Sequence, residues 1–182
     1  MPFFVEVGSC NFDTCQQLID NGWDGLVIEP VKHYFDQLPQ VPRIHYENVA
    51  VDVQPGTSHI HYVDPQLICE NWERGISSLE GSTGALSSPY NSRIDRFANP
   101  LRQPVNVVTL NSLCQKYDIT SIDFLKIDTE GNDIRVLQSL DLSRVNVRFI
   151  KIEHKHCDAA EIEKYLSGYM VYTESDDIYA IK

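Results

Sequence analysis

Ser121-Ile-Asp-Phe-Leu-Lys-Ile-Asp-Thr-Glu-Gly-Asn-Asp-Ile-Arg-Val-Leu137 decides the fold class. An apolar strand runs into Asp128-Thr-Glu130-Gly131, and a helix carrying Ile134 and Leu137 on its apolar face follows. In an open α/β sheet the carboxyl ends of the strands face the ligand crevice. The stretch therefore predicts two carboxylates delivered to the place where chemistry is usually done. A similar strand-turn-helix opens the chain at Phe3-Phe-Val-Glu-Val-Gly-Ser-Cys-Asn-Phe-Asp13. Together they point to a nucleotide-type cofactor beside a carboxylate-lined reaction site.

Outward from these two units, strand and helix patterns alternate. Strands are expected at Phe3–Val7, Gly25–Ile28, Ile44–Val53, Val105–Leu110, Ile122–Ile127 and Val147–Ile152. Helices are expected at Phe12–Asn21, Val31–Leu38, Leu110–Tyr117, Asp133–Leu140 and Ala159–Leu166. Strands separated by helices indicate βαβ units and a mostly parallel sheet. Tyr169–Tyr172 and Ile178–Ile181 flank only Glu174-Ser-Asp-Asp177. A parallel pair needs a long crossover, so these two strands are expected to be antiparallel. The fold class is α/β.

Residues 54–104 break the rhythm. A hairpin is expected around Ile60–Ile68, followed by a Ser-, Gly- and Pro-rich stretch from Gly75 to Pro89. A long irregular segment inside a compact domain is usually functional or disordered. Its place between the third and fourth core strands predicts a lid over the crevice of a single domain, 1–182.

The bulk numbers narrow the class. A chain of 182 residues with 42% hydrophobic content fits one domain with a real core. No run of about 18 apolar residues is present, so no membrane span is expected, and no basic n-region marks a secretory signal. The five cysteines are scattered and form no C-x-x-C pair, which suits a reducing, cytoplasmic setting. The net charge of −11 argues against a nucleic-acid partner, since phosphate binding needs a basic surface. Arg93, Arg96 and Arg102 form the one local basic candidate, either a functional patch or a solvated loop.

The first strand-loop carries one glycine, Gly8. A dinucleotide pyrophosphate needs several, so that backbone approaches the phosphates at a helix N-terminus. The G-x-G-x-x-G, P-loop and Y-x-x-x-K patterns are all absent. S-adenosylmethionine has no phosphates, and presents an amino acid head, a ribose and an adenine. Gly8 lets the chain turn close to such a ligand, and Glu6 offers a carboxylate to its ammonium. Glu29 ends the second strand in Leu-Val-Ile-Glu-Pro30, where an acid can accept both ribose hydroxyls. A turn glycine and a helix-capping glutamate are the structural alternatives.

Several segments carry a family pattern. They are Val5-Glu-Val-Gly-Ser9, Leu26-Val-Ile-Glu-Pro30, Asn48-Val-Ala-Val-Asp52, Gly75-Ile-Ser-Ser-Leu79, Val108-Thr-Leu110 and, most specific, Asp123-Phe-Leu-Lys-Ile-Asp-Thr-Glu-Gly131. Ile150-Lys-Ile-Glu153 and Asp177-Ile-Tyr-Ala180 also fit. The chain resembles the FkbM family of S-adenosylmethionine-dependent methyltransferases over nearly its whole length. The resemblance implies a Rossmann-like class I methyltransferase sheet ending in an antiparallel strand. It implies O-methylation of a sugar or glycan hydroxyl, a polyketide or another small metabolite, with S-adenosylhomocysteine as product, and it leaves the acceptor open. The cofactor residues it suggests are Glu6, Gly8, Ser9, Asn11, Glu29, Pro30, Asn48, Val49, Ala50, Ser77, Ser78 and Asp128. Many relatives carry a segment before the first strand, which here opens the chain. That compact form is like those of phages and marine microbes. It leaves the cofactor more open or covered by a partner subunit, hence a possible homo-oligomer.

Methyl transfer to a hydroxyl needs a general base and close positioning of the acceptor oxygen. Asp128 is the first candidate base, with Glu130 as second base or substrate-orienting group. Both residue types are also favoured as helix N-caps, the bland alternative. Lys126 shares a strand face with Asp128 and is expected to pair with a carboxylate. Glu153 and His154, at the next strand end, are the other candidate bases. Asp128, Glu130 and Glu153 offer oxygen ligands to Mg²⁺. His154 and His156 share a face in extended chain but lack a clear third ligand, and no metal is predicted. Trp72 either stacks on a sugar or adenine or packs in the core. The competing functions are a catalytically silent binding module and a nicotinamide oxidoreductase, the latter disfavoured by the single glycine.

Overall fold

β-Branched and aromatic residues build the first two strands, β1 (Phe3–Val7) and β2 (Asp24–Ile28), and both are buried on either face, as parallel strands between helices are. Their geometry comes from a computed structural model that describes residues 1–11, 14–82 and 99–182. β1 pairs in parallel with β2 and with β8 (Ser121–Ile127). β2 pairs in parallel with β3 (Ile44–Glu47), and β8 with β9 (Asn146–Glu153). The hairpin of β10 (Met170–Glu174) and β11 (Asp177–Ile181) is antiparallel, and β11 also runs antiparallel to β9. The resulting seven-stranded sheet has the order β10-β11-β9-β8-β1-β2-β3. It is a mixed, mostly parallel sheet whose exception is the C-terminal strand pair. From β1 the chain winds outward to β2 and β3, then returns to the other side of β1 as β8. Ligands of open α/β sheets bind where the order reverses, outside the carboxyl ends of such strands.

The two faces of the sheet have different cores. Val5, Val7, Leu26, Ile28, Leu125 and Ile127 point to one face, under α3 (Leu110–Lys116), α4 (Asp133–Gln138) and α5 (Ala159–Tyr165). Phe4, Val27 and Ile44 point to the other, under α1 (Gln16–Asp20) and α2 (Lys32–Phe35). Glu6 and Lys126 share Phe4's side by strand alternation, which puts a buried ion pair beside an apolar core. Thr109 caps α3 by accepting the Ser112 N–H at 3.1 Å, and Asp158 caps α5 through the Ala160 N–H at 3.0 Å.

The expected strand Ile44–Val53 divides. β3 stops at Glu47, and the chain crosses to a second sheet as β4 (Ala50–Val51). Asn48 makes the break: its side-chain amide donates to the carbonyls of Glu29 at 2.8 Å and Pro30 at 3.0 Å. The second sheet has the order β4-β7-β5-β6, with β5 at Gly56–Tyr62, β6 at Ser77–Leu79 and β7 at Leu101–Val108. The hairpin expected around Ile60–Ile68 does not form. β5 instead pairs antiparallel with β6 and β7, and Pro65–Leu67 is a 3₁₀ turn capped by Asp64. Ile60, Val105, Val107, Ala50, Val31 and Tyr34 make a small core between this sheet and α2. The helix expected at Phe12–Asn21 is shorter, with Phe12 and Asp13 outside the described residues. Arg93, Arg96 and the second half of the Ser- and Pro-rich stretch, from residue 83 on, also lie outside them. Arg102 is paired with Glu80 at 3.0 Å. Among the described residues no helix is long and apolar enough to cross a membrane.

Candidate active site

Gly8 turns the chain at the end of β1 with φ +81°, and its amide donates to the Ile28 carbonyl at 3.0 Å. A Cβ at this position would lie 1.9 Å from the Asp128 carbonyl oxygen. The loops after β1 and β8 thus cross at a distance only glycine permits. Two residues on, the Cys10 N–H donates to Glu29 Oε2 at 2.6 Å, and the Val31 N–H donates to Oε1 at 2.7 Å. Glu29 is buried at the end of β2 and its orientation is fixed by backbone on both sides. Burial, with a smaller push from Glu6, raises its carboxyl to about 7 despite the two N–H groups and Lys126.

The loop after β8 makes the opposite wall. Neither Asp128 nor Glu130 caps α4. α4 has no side-chain cap; Asp133, its first residue, instead ties down the preceding loop, accepting the Thr129 N–H at 2.7 Å and the Gly131 N–H at 2.9 Å. Asp133 is itself buried, which raises its carboxyl to about 6. Asp128 and Glu130 are left facing outward from the strand end. Lys126 lies 3.1 Å from Glu6 and 3.4 Å from Asp128. Burial alone would lower the Lys126 pKa, but the two carboxylates outweigh it and hold the ammonium above the ordinary lysine value. Glu130, in a left-handed conformation at φ 55°, sets Oε2 3.4 Å from His156 Nε2. Glu153 stands behind them, and burial, then Asp128, Glu130 and Asp133, push its carboxyl up to about 9.

Between the walls lies a cavity of about 190 Å³. Of the residues expected from the sequence, Gly8, Glu29, Pro30, Val49, Ala50, Ser77, Asp128 and Glu130 line it. The others do not. Glu6, Ser9 and Asn11 border a separate cavity of about 130 Å³ beside α1, because Glu6 sits on the sheet face away from the cleft. Asn48 acts from behind the wall through its bonds to Glu29 and Pro30. Ser78 is buried on the other side of β6 from Ser77. Glu153 is half-buried behind Glu130 and does not line the cavity. His154 turns away, with Nε2 3.2 Å from the Ser175 carbonyl and its backbone N–H on Asp176. His154 and His156 therefore do not share a site, since the chain leaves β9 in a turn rather than extended. Trp72 is 53% exposed on the cleft wall and is not a core residue.

Sequence reasoning passed over Tyr34, Arg74, Thr129 and Asn132, all on the cavity wall. It also missed the fork between Asp52 and Arg135, at 2.6 and 2.8 Å, which ties β4 to α4. Asn132 extends that fork by donating to Asp52 at 3.1 Å. The acid at Asp133, first in its helix, was a readable signal; partners 80 or more residues apart were not. A wider groove of about 910 Å³ adjoins the cavity, sharing Leu79 and Asn132 with it and bordered by Arg135 and His156.

No curated protein and no solved structure matches the chain. The Methyltransferase FkbM domain matches it over residues 6–173, a span from the middle of β1 to β10 that includes both walls of the cleft. The chain belongs to the FkbM methyltransferase family.

Proposed function

We propose that this methyltransferase uses S-adenosylmethionine to methylate a hydroxyl of a sugar, glycan or other small metabolite. The observation that carries the reading is Glu29. It is buried on the cleft wall, aimed by two backbone N–H groups, with lone pairs left for a vicinal diol. The remaining wall suits the rest of the ligand. Val49, Ala50, Ile60 and Leu79 offer an apolar surface, and the exposed Trp72 ring offers a stacking face for adenine. A pyrophosphate is poorly served, because α1 begins only at Gln16, eight positions past the single glycine turn. The strand order, with its reversal between β1 and β8 and its antiparallel C-terminal pair, supports a Rossmann-like methyltransferase sheet. We take residues 1–182 as one such domain. Within it, β5, β6 and the turns between them, the described part of the expected lid, cover the crevice. The five free cysteines support a reducing, cytoplasmic setting.

When bound, S-adenosylmethionine supplies a methyl group activated by its sulfonium. Asp128, on the cavity wall, takes the proton of the acceptor hydroxyl. Lys126 at 3.4 Å fixes that carboxylate's direction. Glu130 orients the acceptor, which enters from the wider groove. Gly8 holds the two loops in contact, so that Glu29 and Asp128 keep their separation.

The test is calorimetric titration of the purified chain with S-adenosylmethionine and S-adenosylhomocysteine. Micromolar binding of both is expected. Binding of neither would falsify the cofactor assignment. Turnover would then be sought by screening glycans and small polyols for formation of S-adenosylhomocysteine.

A further inference from the structure

Glu130, Glu153 and His156 converge behind the reactive corner. One ligand atom from each lies within 4.8 Å of the other two. They come from three backbone positions: the loop after β8, the last residue of β9, and the turn that follows. The side chains of Glu130 and His156 are only 17% and 13% exposed, so the group is set into the protein and not splayed on its surface. Glu153 Oε2 is fully buried and has no hydrogen-bond partner among the described residues. A buried acceptor without a donor costs about 1–3 kcal/mol, more when charged. Three further carboxylates, Asp128, Glu130 and Asp133, bear on Glu153, with Lys155 opposing them.

We propose that Glu130, Glu153 and His156 bind a divalent cation. Oxygen ligands sit at about 2.1–2.6 Å from such ions, so atoms less than 4.8 Å apart can share one. Two carboxylate oxygens and one imidazole nitrogen suit a first-row ion of the Mn²⁺ type. Mg²⁺ and Ca²⁺ prefer oxygen alone, and a structural zinc prefers cysteine and histidine. The ion satisfies the orphaned oxygen of Glu153 and neutralises the crowded carboxylates. Its position is informative, since Glu130 also lines the cleft cavity and His156 borders the wider groove. Coordination positions left open point to where the two spaces meet. An acceptor oxygen bound there becomes more acidic and gives its proton to Asp128 more readily. This last consequence rests on the methyl-transfer reading, whereas the cation site does not.

The experiment is a Mn²⁺ titration of the full chain, followed by electron paramagnetic resonance and by the melting temperature. One saturable site per chain and a rise in melting temperature are expected. Glu153→Gln and His156→Asn should each weaken Mn²⁺ binding about tenfold or more. Asp141→Asn, at an exposed loop remote from the cluster, should leave it unchanged. Glu153→Gln takes one carboxyl out of the crowded group and keeps its size, so its melting temperature without Mn²⁺ should not fall. Absence of saturable binding, or equal affinity in both cluster variants and the parent chain, overturns the site. S-adenosylhomocysteine binding is measured on the same samples without Mn²⁺. If it persists while Mn²⁺ fails to bind, the cation site falls and the methyltransferase reading stands.

Discussion

At the end of β2, Glu29 is buried and each of its oxygens accepts a backbone N–H, from Cys10 at 2.6 Å and Val31 at 2.7 Å. At the end of β9, Glu153 is half-buried, faces three other carboxylates, and has one buried oxygen that meets no donor among the described residues. The first corner is finished before any ligand arrives. The second is electrostatically unfinished. Preorganised acceptors suit a group that is only held, while crowded carboxylates suit a place where charge or protons move. The two corners touch at one point, where Gly8 passes the Asp128 carbonyl. Mutations on either side, and at the point of contact, can separate their roles.

The largest effect is expected from Asp128→Asn. The amide keeps the size of the side chain and removes the proposed base. Turnover should fall by about 10²–10⁴, with S-adenosylhomocysteine affinity little changed. Retained turnover would move the base elsewhere in the corner and blur its contrast with Glu29. Gly8→Ala strikes the contact itself. The methyl group would overlap the Asp128 carbonyl, and φ +81° is strained for alanine. A loss of about 3 kcal/mol in urea unfolding is expected. A loss below about 1 kcal/mol would show that the loops separate easily and that the corners are not rigidly coupled.

Much of this contrast was visible in the residues. The strand-to-carboxylate run at Asp128, the glycine at the first turn and the acid ending β2 are local features, and the βαβ rhythm fixed which ends they share. Which face a residue takes was harder. Glu6 sits one position from Val7, and that single step in the pleat sends it into a buried pair with Lys126 instead of the cleft. His154 shows the same weakness, since an extended chain was assumed where the backbone turns. The second sheet was illegible for another reason. β5, β6 and β7 are stabilised by pairing across gaps in the sequence, and Ser77–Leu79 carries little strand signal of its own. The junction of Glu130, Glu153 and His156 likewise depends on two loops meeting, which no spacing announces.

Glu29→Ala tests the finished corner. Loss of the buried acceptor should weaken S-adenosylhomocysteine binding by about 1–3 kcal/mol, read by calorimetry. Unchanged affinity would remove Glu29 from the site and leave the two backbone N–H groups as the feature that needs explaining.

The smallest effect concerns pH, and its sign follows from the same carboxyl. Burial raises Glu29 from an ordinary value of 4.5 to about 7, with Glu6 adding to the rise and Val31, Cys10 and Lys126 opposing it. A raised acid favours its protonated form in the folded chain. Its contribution to the stability of the ligand-free protein is therefore full below about pH 4.5 and is lost as pH rises through about 7. In the proposed complex a ribose diol donates to the carboxylate, so that complex would favour the opposite form. Affinity for S-adenosylhomocysteine should accordingly rise between pH 6 and pH 8, by at most about tenfold, and flatten above. Binding at pH 6.5 should also take protons off the protein, seen as a heat that varies with the ionisation enthalpy of the buffer. Glu29→Gln should abolish both the slope and the buffer dependence. If the slope survives in that variant, the titrating group belongs to the unfinished corner, and the division of labour between the two is less sharp than their hydrogen bonding implies.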